Sequence, residues 1–199
     1  MQSQLLNNTE LLDKLESLIS KHSDIVDLLI FGSISKGKPS PNDIDFLLLF
    51  NGEVDRDTEY EVRKHIEKIL PDKTIEITAV GYSELFKESF LPREEILTDG
   101  FSIRLRKSLS EGFGYVPYAL FKYKPKNLKN SERIKFQYAL YGRGKSEGLL
   151  SKLGGKKLSE CLIICPIACE DEFKNFFKLW AVPYKQTKIL AQKYMKQSF

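Results

Sequence analysis

Two aspartates, Asp43 and Asp45, are separated by one residue inside a short apolar segment that ends at Phe50. The apolar segment predicts a buried strand, and side chains two positions apart on a strand lie on the same face of a sheet. Two neighbouring carboxylates repel each other and are costly to bury, whereas a bound divalent cation removes that cost. Because Mg²⁺ prefers one or two carboxylates together with substrate phosphate oxygens, we predict that Asp43 and Asp45 bind Mg²⁺ or Mn²⁺.

A third carboxylate, Glu76, lies between two isoleucines in residues 74–80, where alternating residue types predict another strand. Glu76 either faces solvent on an edge strand or faces the metal ions. If it shares the sheet face of Asp43 and Asp45, three carboxylates surround a two-metal site. One ion would then lower the pKa of an attacking hydroxyl, and the other would neutralise a leaving pyrophosphate.

A phosphate-binding turn is predicted at Gly32 and Ser33, directly after an apolar strand over residues 25–31. Glycine permits a tight turn and a close backbone approach, and Ser33 is expected to open a short helix. Free N–H groups at a helix start, together with a hydroxyl, bind phosphate, and Lys36 adds positive charge nearby. We predict that Gly32, Ser33 and Lys36 bind the phosphates of a nucleoside triphosphate, including ATP.

The order Gly32-Ser33, nine residues, then Asp43-Ile44-Asp45 resembles the signature of the DNA polymerase beta nucleotidyltransferase superfamily. The superfamily includes tRNA CCA-adding enzymes, poly(A) polymerases, aminoglycoside nucleotidyltransferases and minimal nucleotidyltransferases of toxin–antitoxin pairs, and the local sequence is most similar to the minimal and archaeal-type members. The resemblance covers residues 9–80 and implies that Gly32 and Ser33 bind triphosphate, that Asp43 and Asp45 bind metal and that Glu76 is the third acid. Many members have an arginine soon after the serine, where this chain has Ile34 and Ser35.

The elements that must position these residues follow from residue periodicity. Helices are predicted over residues 9–22 and 57–70, with strands over 25–31, 43–50 and 74–80, followed by broken helix over 83–98. We therefore predict an α/β (α+β) fold whose catalytic domain, residues 1–100, is a polymerase beta-like palm with a small mixed sheet. Residues 101–199 are predicted to form a second, basic α+β domain.

The second half of the chain changes character near Gly100. A hinge is expected over residues 111–117, a loop over 142–148 and a short helix over 149–153. Strands are predicted over 101–110, 118–123, 158–167 and 182–190, and helices over 131–141 and 170–179. The cysteines Cys161, Cys165 and Cys169 lack the spacing and the fourth ligand of a zinc site, so we predict reduced structural thiols.

Charge is distributed unevenly along the chain. Residues 1–100 contain 11 basic and 20 acidic residues, a net charge of −9, whereas residues 101–199 contain 20 and 7, a net charge of +13. A basic half predicts a polyanionic partner such as RNA, although a lysine-rich solvated surface would give the same count. The residues that we predict to contact an RNA acceptor are Arg104, Arg106, Arg133, Arg143 and Lys145.

Three functions remain open at this stage. The first is transfer of a nucleoside monophosphate to a hydroxyl of RNA, most plausibly a tRNA-like 3′ end, with release of pyrophosphate. The second is modification (AMPylation) of a protein hydroxyl, as minimal nucleotidyltransferases do to partner toxins, and the third is nucleic-acid binding on an inactive palm. The polar N-terminus predicts no secretory signal and a cytoplasmic location, and no apolar run predicts a membrane span. The oligomeric state is not predicted.

Overall fold

A computed structural model describes residues 5–32 and 42–193 of the chain. The chain divides into two compact units, Met1–Gly114 and Tyr115–Phe199. The division falls within the expected hinge at residues 111–117 and later than the expected domain boundary after residue 100. The reason is that Phe101 and Ser102 pair with strand residues Ile30 and Leu29, which keeps the segment after Gly100 in the first unit.

The first unit begins with a helix whose start is fixed by a side-chain cap. The Asn8 side chain accepts a hydrogen bond of 3.1 Å from the Leu11 backbone N–H, which satisfies one of the unpaired donors at the helix start. The elements, in chain order, are α1 (Thr9–Ile19), β1 (Ile25–Phe31), β2 (Asp43–Phe50), α2 (Arg56–Ile69), β3 (Thr74–Gly81), a 3₁₀ helix (Tyr82–Phe86), α3 (Arg93–Asp99), β4 (Phe101–Ser102), β5 (Lys107–Ser108) and α4 (Leu109–Gly112).

A five-stranded mixed sheet with the order β3-β2-β1-β4-β5 forms the centre of this unit. Strands β2 and β3 are parallel and are joined by α2, whereas the other neighbours are antiparallel. Alternate residues of β2 separate onto two faces: Ile44, Phe46 and Leu48 pack in the core with α1 and α2, and Leu47 and Leu49 pack with α3 on the opposite face. The mixed α/β sheet predicted from the sequence is therefore confirmed.

The segment 101–110, predicted as one strand, is instead the tight hairpin β4–β5 followed by α4. The buried carboxylate of Asp27 holds the turn, because it accepts hydrogen bonds from the Ser102 hydroxyl and from the Arg104 backbone N–H at 3.2 Å. The Leu28 N–H donates to the same carboxylate at 2.8 Å. Alternating apolar and basic residues were compatible with a strand, but these polar contacts favour the turn.

The second unit is built on a four-stranded antiparallel sheet. Its elements are β6 (Tyr115–Tyr123), a 3₁₀ helix (Pro125–Asn127), α5 (Asn130–Tyr141), β7 (Gly142–Arg143), β8 (Ser146–Glu147), α6 (Leu149–Lys152), β9 (Lys156–Ser159), β10 (Leu162–Pro166), a 3₁₀ helix (Ile167–Cys169), α7 (Glu170–Leu179) and β11 (Tyr184–Gln192). The strand order in the sheet is β11-β6-β10-β9. A separate hairpin of two-residue strands, β7–β8, replaces the loop that was expected over residues 142–148.

One face of this sheet is covered by α5 and α7 through an aromatic core. Phe121 on β6 has its ring centroid 5.6 Å from that of Phe177 on α7, and Phe136 on α5 lies 5.8 Å from Trp180. The predicted strand over 158–167 is two strands, β9 and β10, joined by a turn at Glu160 and Cys161. All three cysteines are free thiols, and only Cys165 is fully buried. None of the helices in the described part of the chain is both long and apolar enough to span a membrane.

Candidate active site

The three predicted acids come from two adjacent parallel strands. In the register of β2 and β3, Asp45 is paired with Glu76 and Asp43 with Thr74. Residues paired in this way extend from the same side of a sheet, as do residues two apart on one strand, so Asp43, Asp45 and Glu76 share one face. Asp45 is half-buried, whereas Asp43 and Glu76 are exposed. The arrangement of the two strands thus places these carboxylates on one side of the sheet, toward the N-terminal ends of β2 and β3.

Gly32 lies against the Asp45 carboxylate at the end of β1. Its neighbour Phe31 is paired with Asp45 across the β1–β2 ladder, and Gly32 itself has a φ of 77°. A Cβ atom at this position would come within 2.3 Å of Asp45 Oδ2. The absence of a side chain therefore lets the turn pass beside the carboxylate, which is the close backbone approach that glycine permits. Ser33 and Lys36, the other predicted phosphate ligands, lie outside the described residues.

The donors present suit a hard divalent cation. Asp43, Asp45 and Glu76 supply only carboxylate oxygens, the ligand type that Mg²⁺ and Mn²⁺ prefer. Within the described ranges, no three His, Cys, Asp or Glu side chains are grouped closely enough to form a complete metal site by themselves. Mg²⁺ usually takes one or two protein carboxylates and completes its shell with phosphate oxygens and water. Two of these carboxylates, next to the space left by the absent side chain of Gly32, suit a Mg²⁺ ion that enters the site already bound to a nucleotide.

The packing behind β2 and β3 holds the acidic strands in register. Val62 and Ile66 of α2 are fully buried in the core on the face opposite the acids. Arg63 of the same helix donates a hydrogen bond of 3.1 Å to the Ile77 carbonyl, one residue beyond Glu76. The Thr74 N–H donates to the Asn42 carbonyl at 2.9 Å, which ties the starts of the two strands together.

An apolar cavity of about 270 Å³ lies in the first unit on the same sheet face as the acids. Leu29 of β1 and Leu49 of β2 line it, and Leu49 is four residues beyond Asp45, roughly 13 Å along the strand. We call it the apolar cavity, and its lining also includes three exposed aromatic residues, Tyr82, Phe86 and Phe113. No sequence pattern predicted this cavity, although two aromatic residues four positions apart, Tyr82 and Phe86, were a usable signal.

The five basic residues predicted to contact an acceptor belong to different units. Arg104 and Arg106 lie in the first unit, where Arg104 donates to the Ile25 carbonyl at 3.0 Å and Arg106 forms ion pairs with Asp13 and Glu16 of α1. The other three lie in the second unit: Arg133 on α5, Arg143 on β7 and Lys145 in the β7–β8 turn. The Arg143 guanidinium stacks 4.8 Å from the ring centroid of Tyr138.

Part of the first unit matches a known protein family. Residues 13–99 match the family model "Polymerase beta, Nucleotidyltransferase". No curated protein matches the chain significantly.

Several solved structures are similar over just under half of this chain. A toxin–antitoxin structure with AMP-PNP is 21% identical, with a TM-score of 0.37, and the match covers 46% of this chain and 71% of that one. The complex of a tri-AMPylated Shewanella oneidensis HEPN toxin with an MNT antitoxin is 18% identical, with a TM-score of 0.35 and coverages of 47% and 69%. The toxin–antitoxin structure MntA-HepT is 16% identical, with a TM-score of 0.35 and coverages of 48% and 71%.

Proposed function

We propose that this protein transfers a nucleoside monophosphate from a nucleoside triphosphate to a hydroxyl group, a proposal supported by the match of residues 13–99 to the family model "Polymerase beta, Nucleotidyltransferase". The observation that carries the proposal is the pairing of Asp45 with Glu76 across two parallel strands, with Asp43 on the same face. Carboxylates on one face of two adjacent strands supply part of the donor set of a metal-bound triphosphate, and phosphate oxygens and water complete it.

The reaction forms one P–O bond and breaks another. The acceptor hydroxyl oxygen attacks the α-phosphorus and its proton is released to water, while the bond from that phosphorus to the bridging oxygen breaks and pyrophosphate leaves with the electron pair. Asp43, Asp45 and Glu76 would hold Mg²⁺, which supplies charge neutralisation and a lower hydroxyl pKa when it is bound. Gly32 would let the triphosphate approach the backbone beside Asp45. Ser33 and Lys36 are included among the phosphate ligands on sequence grounds.

RNA is the acceptor that the charge distribution favours. The second unit, residues 115–199, contains 17 Lys and Arg residues against 6 Asp and Glu residues. A net charge of +11 on one compact unit attracts a polyanion and makes binding dependent on salt. The exposed residues Arg133, Arg143 and Lys145 of this unit are the proposed contacts.

A protein acceptor is the second candidate, favoured by the apolar cavity. Its aromatic lining residues, Tyr82, Phe86 and Phe113, are 45%, 67% and 64% exposed, and aromatic residues are enriched at protein interfaces.

Transfer of an α-phosphate label tests the proposal. The protein is incubated with Mg²⁺, each of the four NTPs labelled at the α-phosphate, and either purified tRNA or protein from a cell extract. Asp45→Asn is the inactive variant, and Glu61→Gln on the exposed side of α2 is the matched control. Label from γ-labelled ATP must not be incorporated, because nucleotidyl transfer releases the γ-phosphate within pyrophosphate.

The possible outcomes separate the two acceptors. Label entering tRNA with the native protein and Glu61→Gln, but not with Asp45→Asn, supports RNA. Label entering protein supports the second candidate, and Phe86→Ala should then reduce it whereas Leu91→Ala, which is 89% exposed and outside the cavity lining, should not. If no NTP binds in the presence of Mg²⁺, the catalytic proposal is wrong and the domain is an inactive palm.

A further inference from the structure

A small polar cavity of about 110 Å³ lies in the second unit, where α5 meets the end of β6 and the β9–β10 turn. We call it the polar cavity. Three polar side chains of α5 line it at helical spacing, Arg133, Gln137 and Tyr141, so one face of the helix supplies a guanidinium, an amide and a hydroxyl. Its remaining polar lining includes Tyr123, Lys157 and Glu160.

Two tyrosine hydroxyls at the polar cavity bond to each other, which leaves one of their two O–H groups able to donate a hydrogen bond to a ligand. The Tyr123 and Tyr141 hydroxyl oxygens are 2.5 Å apart, so one of the two O–H groups donates to the other. Neither hydroxyl has a second hydrogen-bond partner among the described residues. Burial raises the pKa of both phenols, so both are protonated at neutral pH. We assign the unused O–H to Tyr141, because the Tyr123 ring is enclosed by Phe136 and Phe177.

Positive charge exceeds negative charge around this donor. The Lys157 ammonium lies 5.0 Å from the ring centroid of Tyr141, and Arg133 lines the same cavity from α5. The carboxylate of Glu160 opposes them, so the lining carries two positive charges and one negative charge. A guanidinium, an ammonium, an amide and a hydroxyl provide hydrogen-bond donors with a net positive charge, which is the composition that recognises an oxyanion.

We propose that the polar cavity binds a phosphate group, through Arg133, Lys157 and Tyr141. The phosphate comes either from the backbone of RNA or from free phosphate, since the chemistry of recognition is shared. The site lies wholly in the second unit and uses none of Asp43, Asp45 and Glu76. Although Arg133 is also one of the proposed RNA contacts, phosphate binding at the polar cavity is measured without Mg²⁺ or NTP, so its failure is distinguishable from a failure of nucleotidyl transfer.

Neighbouring lysines on β9 provide a matched pair for the test. Lys156 and Lys157 are adjacent and exposed, but only Lys157 lines the polar cavity, because successive residues of a strand point to opposite faces. Lys157→Gln and Lys156→Gln remove the same charge. On α5, Arg133→Gln has the control Lys135→Gln, an exposed residue outside the cavity. Tyr141→Phe and Tyr123→Phe separate the unused donor from its partner.

The experiment measures binding of the full chain to a fluorescent single-stranded RNA without terminal phosphates, with inorganic phosphate as the second probe. We expect Lys157→Gln, Arg133→Gln and Tyr141→Phe each to weaken binding about tenfold, the effect of losing a hydrogen bond to a charged group. Lys156→Gln, Lys135→Gln and Tyr123→Phe should change it less than about threefold. Thermal unfolding of each variant establishes that the second unit is folded.

Each result has a definite meaning. If RNA binding depends on the cavity residues and inorganic phosphate does not bind, the ligand is a backbone phosphodiester. If inorganic phosphate binds with the same dependence and displaces the RNA, the cavity takes a free phosphate group. If the members of each matched pair have equal effects on RNA binding, and inorganic phosphate binding is unaffected by Lys157→Gln, the attraction is diffuse charge and the proposal is overturned.

Discussion

The carboxylate of Asp45 occupies the space that a side chain at Gly32 would need. A Cβ atom at position 32 would lie 2.3 Å from Asp45 Oδ2, and the φ of 77° is a left-handed conformation that favours glycine. Since Asp45 is also paired with Glu76 on β3, a change at Gly32 acts on the centre of the acidic group. Gly32, which we propose to be in the phosphate-binding turn, and Asp45, which we propose to bind metal, therefore form one structural unit.

We expect Gly32→Ala to lower nucleotidyl transfer at least about 100-fold, because the methyl group must displace the Asp45 carboxylate or the turn. The left-handed conformation adds a loss of about 1–2 kcal/mol in the free energy of unfolding. Steady-state kinetics and urea unfolding measure the two effects. Gly52→Ala is the control, since a Cβ there meets no atom within 4 Å. Equal activity of the two variants would contradict the assigned role of Gly32.

Glu76→Gln should raise the Mg²⁺ concentration that gives half-maximal activity. It should also lower the maximal rate about 100-fold, because a metal ion supplies several kcal/mol of charge stabilisation in the transition state. The exposed position of Glu76 predicts little change in unfolding. Activity is measured as a function of Mg²⁺ concentration, with EDTA abolishing it. Glu61→Gln removes a carboxylate from α2 and should reproduce the native curve. An unchanged Mg²⁺ dependence in Glu76→Gln would place Glu76 in the solvent-facing role that the sequence left open.

Local sequence patterns predicted the acidic strands well but not the hairpin that completes the sheet. The β2 pattern was informative because Ile44, Phe46 and Leu48 had to be buried and so fixed the opposite face for Asp43 and Asp45. The β4–β5 hairpin depends on contacts between Asp27 and Ser102, residues 75 positions apart, which periodicity cannot detect. The polar cavity was unpredictable for the same reason, because it is lined by segments distant in sequence, and the apolar cavity had only the local pair Tyr82 and Phe86 as a signal.

The Asp27 carboxylate is predicted to be a main stabiliser of this hairpin. Asp27→Ala leaves the Ser102 hydroxyl and the Leu28 and Arg104 N–H groups without their acceptor, and each buried unsatisfied group costs about 1–3 kcal/mol. Asp27→Asn keeps one acceptor oxygen and should cost less. The free energies of unfolding of the two variants, measured in urea, test whether Asp27→Ala is the less stable one. If Asp27→Ala is as stable as the native protein, these hydrogen bonds do not hold the hairpin.

The same residue gives the unfolding free energy a defined pH dependence. Burial raises the pKa of Asp27 above its ordinary value of 3.8, although its hydrogen bonds act in the opposite direction. A raised pKa in the folded state means that the folded protein binds more protons than the unfolded chain, so this contribution is complete below pH 3.8 and is lost as pH rises through the folded pKa. We expect the native protein to lose stability relative to Asp27→Asn across that window. A native protein that gains stability relative to Asp27→Asn as pH rises would contradict the sign.

Cys161 combines an unfavourable backbone conformation with a position at the polar cavity. Its φ is 59°, in the left-handed region, and its carbonyl accepts a hydrogen bond of 3.0 Å from the Tyr123 N–H, which fixes the β9–β10 turn to β6. Cys161→Gly and Cys161→Ala both remove the thiol, but only glycine adopts this conformation without strain. We therefore expect Cys161→Gly to be more stable to urea than Cys161→Ala by about 1 kcal/mol.

Comparison of these two variants also tests how the turn serves the polar cavity. The strain at Cys161 is tolerated because the Tyr123 contact holds the turn, and the turn carries Glu160 beside the strand residue Lys157. Neither substitution removes a proposed phosphate ligand, so RNA affinity should stay within about threefold of native in both. Equal unfolding free energies for glycine and alanine would mean that the left-handed conformation is not retained in solution. A loss of RNA binding in Cys161→Gly alone would mean instead that the strained turn is needed to hold Lys157 in place.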